Sequence, residues 1–216
     1  MTQLPSTRQR GAALLIALVM LLVLTVLTVT NMREVTLESR ITANKAENAR
    51  LQQTADAALR EAEKRYYGPG NLQAKLEPDE ANCVKNNVFV KVLNKPCLID
   101  VSTSAIPYKE AMRAFVLEPL EYMKANFSAT GRSTDAADDD AAVAWMPYRG
   151  TDANDTSELT TRAYWNTALI SSEGVNAEYG DAMEGRGTYY YLVTGQAADT
   201  LAVQSTIANI YLGLNN

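Results

Sequence analysis

Histidine is absent from all 216 residues. That removes Ser-His-Asp and Cys-His catalysis and every imidazole metal ligand, leaving carboxylates, Lys, Tyr and Cys for any chemistry. Cysteine is nearly absent too: Cys83 and Cys97 alone cannot complete a four-ligand zinc site, and their spacing is not that of a C-x-x-C redox motif. A basic excess is also missing. With 20 Lys and Arg against 25 Asp and Glu, the net charge of −5 gives no field for a nucleic-acid partner. Finally, no Gly or Pro interrupts the chain between Gly11 and Gly68.

What fills that uninterrupted stretch begins with an apolar run. Residues 12–29 read AALLIALVMLLVLTVLTV, without charge, and twelve of these 18 positions are Leu, Ile or Val. At roughly −0.3 to −0.6 kcal/mol per residue, those twelve favour insertion by about 4 to 7 kcal/mol. Eighteen helical residues cover about 27 Å, close to a hydrocarbon core. Arg8 and Arg10 precede the run, whereas Arg33 and Glu34 cancel after it. The positive-inside rule then places the N-terminus in the cytoplasm and the rest outside. A buried core helix and a cleaved secretory signal are the competitors. The second lacks a small-x-small site, since TNMREVTLES follows the run.

Beyond the run the helical signal continues. Ala, Leu, Glu, Arg, Gln and Lys dominate to residue 67, and a helix over 12–67 would be about 84 Å long. Leu37, Ile41, Asn44, Asn48, Leu51, Ala55, Ala58 and Ala62 fall at a/d spacing. With half of the seam Ala or Asn, this suits a helix laid closely on another surface better than a free coiled coil. Gly68-Pro69-Gly70 ends it.

The boundary Arg8-Gln9-Arg10-Gly11 before Ala12, followed by Met32, Arg33, Glu34, Val35, Thr36, Glu38, Ser39, Arg40 and Ile41, resembles the PilX family of type IV pilus minor pilins. Arg113 to Glu118 and Tyr189 to Tyr211, including Val203-Gln204-Ser205-Thr206, are similar to that family's opening strand and closing hairpin. The resemblance implies that a prepilin peptidase cuts between Gly11 and Ala12 and methylates the new N-terminus. It implies that Leu14, Leu15, Ile16, Leu18, Val19, Leu21 and Leu22 pack first in the membrane and then in a filament core. Most such pilins carry Glu at the fifth mature position, which here is Ile16. A carboxylate in lipid is retained only where a partner charge exists. Its absence fits a tip or priming subunit, with an ordinary lipid-facing residue as the alternative.

The expected fold class is α+β and type IV pilin-like: a long N-terminal helix packed on an antiparallel sheet with a long loop insertion. The boundaries expected are a leader at 1–11, a membrane half-helix at 12–30, a periplasmic half-helix at 31–67 and a globular head at 71–216, with the insertion at about 128–186. Two cysteines in a segment expected to be exported point to a disulfide between Cys83 and Cys97, free thiols being the alternative. The bridge would close a loop of about 15 residues and contribute about 3 kcal/mol. Val88 to Leu93, within that loop, is β-rich. Residues 113–120 are expected as a strand ending near Pro119. Thr188 to Thr194 and Leu201 to Leu212 read as an antiparallel hairpin whose longish turn spans Gly195 to Thr200.

The insertion is acidic. Asp135, Asp138, Asp139, Asp140, Asp152, Asp155 and Glu158 stand against Arg132 and Arg149 over 130–160. A solvated loop and a calcium site are the two readings, and the spacing matches no EF-hand loop. Trp145, Met146, Tyr148, Tyr164 and Trp165 flank it, as anchors to the sheet or as a contact surface. The expected function is assembly without catalysis, cofactor or metal. The expected partners are the other minor pilins, the major pilin, the prepilin peptidase, a tip adhesin and the inner membrane. A type II secretion pseudopilin is the nearest rival. An uncleaved membrane-anchored periplasmic binding domain is the more distant one.

Overall fold

The computed structural model describes residues 10–68, 70–87, 95–127, 141–152, 159–173 and 184–213. The chain divides into two compact units, Met1–Ala49 and Arg50–Asn216. Helix α1 runs Arg10–Lys64. Within the first unit every described side chain from Gly11 onward is exposed. It is the one helix among the described residues long and apolar enough to cross a membrane. Its threonines hide their polarity locally. The Thr25 hydroxyl donates to the Leu22 carbonyl at 2.8 Å and Thr30 to that of Leu27 at 2.9 Å, so neither presents a bare hydroxyl to lipid.

In the second unit α1 lies on a mixed sheet. Ala55, Ala58, Leu59, Ala62 and Tyr66 are buried, with Leu51 half-buried. The a/d seam therefore holds over residues 51–62, whereas Leu37, Ile41, Asn44 and Asn48 are exposed. The buried face also takes in Thr54, Glu61 and Arg65, wider than a coiled-coil stripe, because a sheet covers more of a helix than a second helix does. The alanines allow a close approach, and β4 answers with Gly195. A Cβ there would stand 2.3 Å from the Ala55 carbonyl oxygen and 2.8 Å from the Leu59 nitrogen.

The sheet comprises β1 (Leu98–Ile99), β2 (Met146–Pro147), β3 (Ala163–Glu173), β4 (Arg186–Ala197) and β5 (Leu201–Leu212), in the order β1-β3-β4-β5 with β2 also on β3. β4 and β5 form the expected hairpin, paired from Arg186↔Leu212 to Ala197↔Leu201. Its turn is shorter than the composition suggested. Gly195 to Ala197 stay in the strand, and Ala198 and Asp199 supply the positive φ values of 51° and 56°.

Three expectations are corrected. Residues 113–120 are not a strand: α3 (Tyr108–Leu117) and α4 (Pro119–Asn126) occupy the segment. Pro119 is the first residue of α4, where its missing N–H is no loss, and Ala111, Met112 and Phe115 bury one face of α3. The stretch 128–186 is not wholly a loop insertion, because β3 inside it pairs with β4, β1 and β2. Tyr164 and Trp165 are accordingly buried core residues of a strand. Nor is the sheet purely antiparallel, since β1 runs parallel to β3 through Leu98↔Thr167 and Ile99↔Ala168. The β-rich stretch 88–93 and six of the seven acids, Asp135, Asp138, Asp139, Asp140, Asp155 and Glu158, lie outside the described residues.

Candidate functional site

The candidate assembly surface is built on α1. Gly11, the second residue of the helix, has nothing within 4 Å of where a Cβ would sit. Ala12 follows it in the same open helical turn. Leu14, Leu15, Ile16, Leu18, Val19, Leu21 and Leu22 are all exposed, with Leu14 at 70% and Ile16 at 58%. A helix apolar on every side and covered on none needs either lipid or other helices around it.

In the second unit the last turns of α1 carry an ion pair that ties down two loops. Glu61 and Arg65, one helical turn apart, are both fully buried and meet at 2.9 Å. The other Glu61 oxygen accepts the backbone N–H of Arg149 at 2.6 Å and of Gly150 at 3.1 Å. Arg65 donates to the Asn87 side-chain oxygen at 3.0 Å, the Asn87 carbonyl at 3.2 Å and the Lys95 carbonyl at 3.2 Å. Its guanidinium also lies 5.2 Å from the Trp165 ring centre. Burial raises the Glu61 pKa, opposed by Arg65 and the Arg149 N–H, and burial lowers that of Arg65. Each charge is retained because the other, with fixed backbone dipoles, replaces water.

The disulfide joins Cys83 to Cys97, as the cysteine count suggested, and both residues are buried. It holds the two arms that Arg65 grips. Asn87 reinforces them by donating from its amide to the Asn82 and Lys95 carbonyls at 2.5 and 3.1 Å. From Cys97 the order passes to the sheet. The Cys97 carbonyl accepts the Thr167 N–H at 3.2 Å and its hydroxyl at 2.7 Å, and that hydroxyl meets the Tyr66 hydroxyl at 2.6 Å. From Cys83 the carbonyl accepts the Val143 N–H at 2.7 Å.

A second buried cation finishes the end of α1. Lys75, 1% exposed, donates to the carbonyls of Tyr66 and Gly68 at 3.2 and 2.8 Å, just past the helix terminus, where a cation is favoured. Burial lowers its pKa to about 8. Around it the tilted rings of Tyr66 and Tyr191 meet at 4.3 Å between centres and those of Tyr189 and Tyr211 at 5.5 Å, and the Tyr191 hydroxyl donates to the Lys75 carbonyl at 2.6 Å.

Glu61, Arg65 and Lys75 escaped the sequence reading. An i, i+4 Glu–Arg pair reads as a surface pair on any helix. The available signal was that residues 61 and 65 border the face carrying Ala58 and Ala62. The structure brings Cys83 and Cys97 together and leaves Gly11, Ala12 and the apolar positions on one continuous helix. Among the described residues no group of three or more acids or cysteines converges as a metal site.

In comparison with known proteins, residues 10–60 match the family described as PilX N-terminal. No curated protein and no solved structure matches the chain.

Proposed function

We propose, from the match of residues 10–60 to the PilX N-terminal family, that the chain is a type IV pilus minor pilin that primes pilus assembly at or near the tip. The observation that carries this reading is the coincidence of that segment with a wholly exposed apolar helix whose fifth position after Gly11 is Ile16, not a carboxylate. The leader Met1 to Gly11 stays in the cytoplasm, and prepilin peptidase cuts before Ala12 and methylates it. Residues 12–30 hold the subunit in the inner membrane, with the head in the periplasm. On assembly the same apolar side chains exchange lipid for the helices of other minor pilins and the major pilin. That exchange is nearly neutral in hydrophobic terms, so close packing decides it. The clamped, disulfide-bonded head would be the part that meets neighbouring minor pilins and a tip adhesin. It works as a structural subunit.

The test is N-terminal sequencing with intact mass on chain from native membranes, with and without active prepilin peptidase. The expected result is a methylated Ala12 terminus that reverts to Met1 when the peptidase is lost. A Met1 terminus in both strains would overturn the reading and leave an ordinary anchor. Deleting the chain should then abolish surface pili while the other pilins remain in the membrane. Unchanged pili with lost secretion would favour the pseudopilin instead.

A further inference from the structure

Two loops meet the last turns of α1 at one pair of charges. The first is the stretch 83–97 that the disulfide closes. It supplies the Asn87 side-chain oxygen, the Asn87 carbonyl and the Lys95 carbonyl, each of which accepts from Arg65. The second runs past Arg149 and Gly150, whose backbone N–H groups Glu61 holds. Arg65 and Glu61 join the two at 2.9 Å, and neither side chain is exposed at all. The acceptors for Arg65 come from both arms of the first loop, Asn87 four residues after Cys83 and Lys95 two before Cys97. They are in place together only while the arms are held together. Across the arms run the covalent bridge and the bond from the Asn87 amide to the Lys95 carbonyl at 3.1 Å.

We infer that the bridge is a redox-sensitive latch whose state reaches the second loop through Arg65 and Glu61. With Cys83 and Cys97 reduced, a loop of about 15 residues regains its freedom. The carbonyls that replace water around the guanidinium then separate. A buried charge with an incomplete set of partners is drawn to water. Arg65 turns outward, Glu61 loses its counter-charge and takes up water or a proton, and its hold on the Arg149 and Gly150 N–H groups weakens. The reduction is a thiol–disulfide exchange. Two electrons and two protons pass from an external dithiol, which becomes a disulfide, while the S–S bond of the chain gives two thiols. A disulfide oxidant runs the same exchange backwards and sets both loops at once. Cys83 and Cys97 are 2% and 0% exposed, so the exchange takes place in the open form and the closed form shields its own bridge. The adjacent amide is wired differently: the Tyr148 N–H donates to the Ala163 carbonyl of β3 at 2.9 Å and belongs to the sheet. A direct contact between the loops, from the Val143 N–H to the Cys83 carbonyl at 2.7 Å, bypasses the charges and is the rival route. The latch is a property of the head and stands whether or not the chain is a minor pilin.

The experiment is residue-resolved amide exchange by NMR on the full chain in detergent, either oxidised or refolded and held reduced with dithiothreitol. Reduction is expected to speed exchange at Arg149 and Gly150 at least about tenfold, while Tyr148 changes by less than about twofold. In an Arg65→Met chain the link is cut, and reduction should change Arg149 and Gly150 by less than about twofold. Arg65→Gln, neutral but still a donor to the loop carbonyls, repeats the comparison should the Met chain fail to fold. The parent alone already decides one point, since unchanged exchange at Arg149 and Gly150 on reduction would overturn the inference. An equal response in the parent and the Arg65 variants would also overturn it, and would assign the coupling to the contact between Val143 and Cys83. Equal quickening at Tyr148 would do the same by showing general loosening in place of a latch.

Discussion

Glu61 shows how a single residue commits a helix to its surroundings. Its carboxylate holds Arg65 on one side and two backbone N–H groups on the other, so removing either charge leaves its partner buried and uncompensated. Arg65→Met is expected to destabilise the head by about 3 to 5 kcal/mol. Glu61→Gln should cost a similar amount, because its amide oxygen keeps the Arg149 and Gly150 N–H groups only by turning its NH2 donor toward Arg65. Urea unfolding of the full chain in detergent checks both, and a loss under about 1 kcal/mol from either would contradict the assigned roles. Gly195 acts by having no side chain. Gly195→Ala drives a methyl into the backbone of α1 and is expected to cost about 3 kcal/mol, read by the same assay. Lys75 gives a pH signature. Between about pH 8 and 10.5 the unfolded chain holds a proton on this amine that the folded chain has shed. Stability therefore rises with pH across that window, and below it the buried charge is a penalty of at most about 3 kcal/mol. The neutral amine keeps enough N–H groups for both carbonyls. Unfolding midpoints from pH 7 to 11 should show the parent gaining on Lys75→Met, and parallel curves would refute the assignment.

At the scale of elements, the disulfide and the last turns of α1 form one device. Cys97 delivers its carbonyl to Thr167, and Thr167 meets Tyr66 of the helix, so the bridge sets where β1 joins β3. Replacing both cysteines by Ser should remove about 3 kcal/mol. Amide exchange should quicken first at Thr167 and around Cys97, and uniform loss across the sheet would argue against this local role. How far elements can be read in advance depends on whether their signal is local. α1 declares itself through composition and the want of Gly and Pro, and the β4–β5 hairpin through β-branched and aromatic runs. The segment 108–126 carries mixed signals. Arg113 to Glu118 can serve in a strand or a helix, and Pro119 could have closed a strand as well as open α4. Burial of Ala111, Met112 and Phe115 decided it.

For the whole molecule, the proposed minor-pilin reading predicts a processing site that acts before the head's packing matters. Gly11→Asp should retain the leader, giving a product heavier by the mass of Met1 to residue 11, while the head keeps its thermal midpoint. Cleavage at the usual rate would count against a prepilin boundary. The sequence by itself determined the apolar span, the single long helix, the pairing of its two cysteines, the closing hairpin and the exclusion of histidine chemistry. Each of these follows from composition or period along a short stretch. Only the tertiary structure decided that β3 belongs to the sheet, that β1 runs parallel to it, that Trp165 is core, and that Glu61, Arg65 and Lys75 are buried charges. The ion pair depends on partners 22 to 88 residues away and Lys75 on carbonyls 7 and 9 residues before it, and a charged side chain enters a core only where the fold brings polar groups to replace its water.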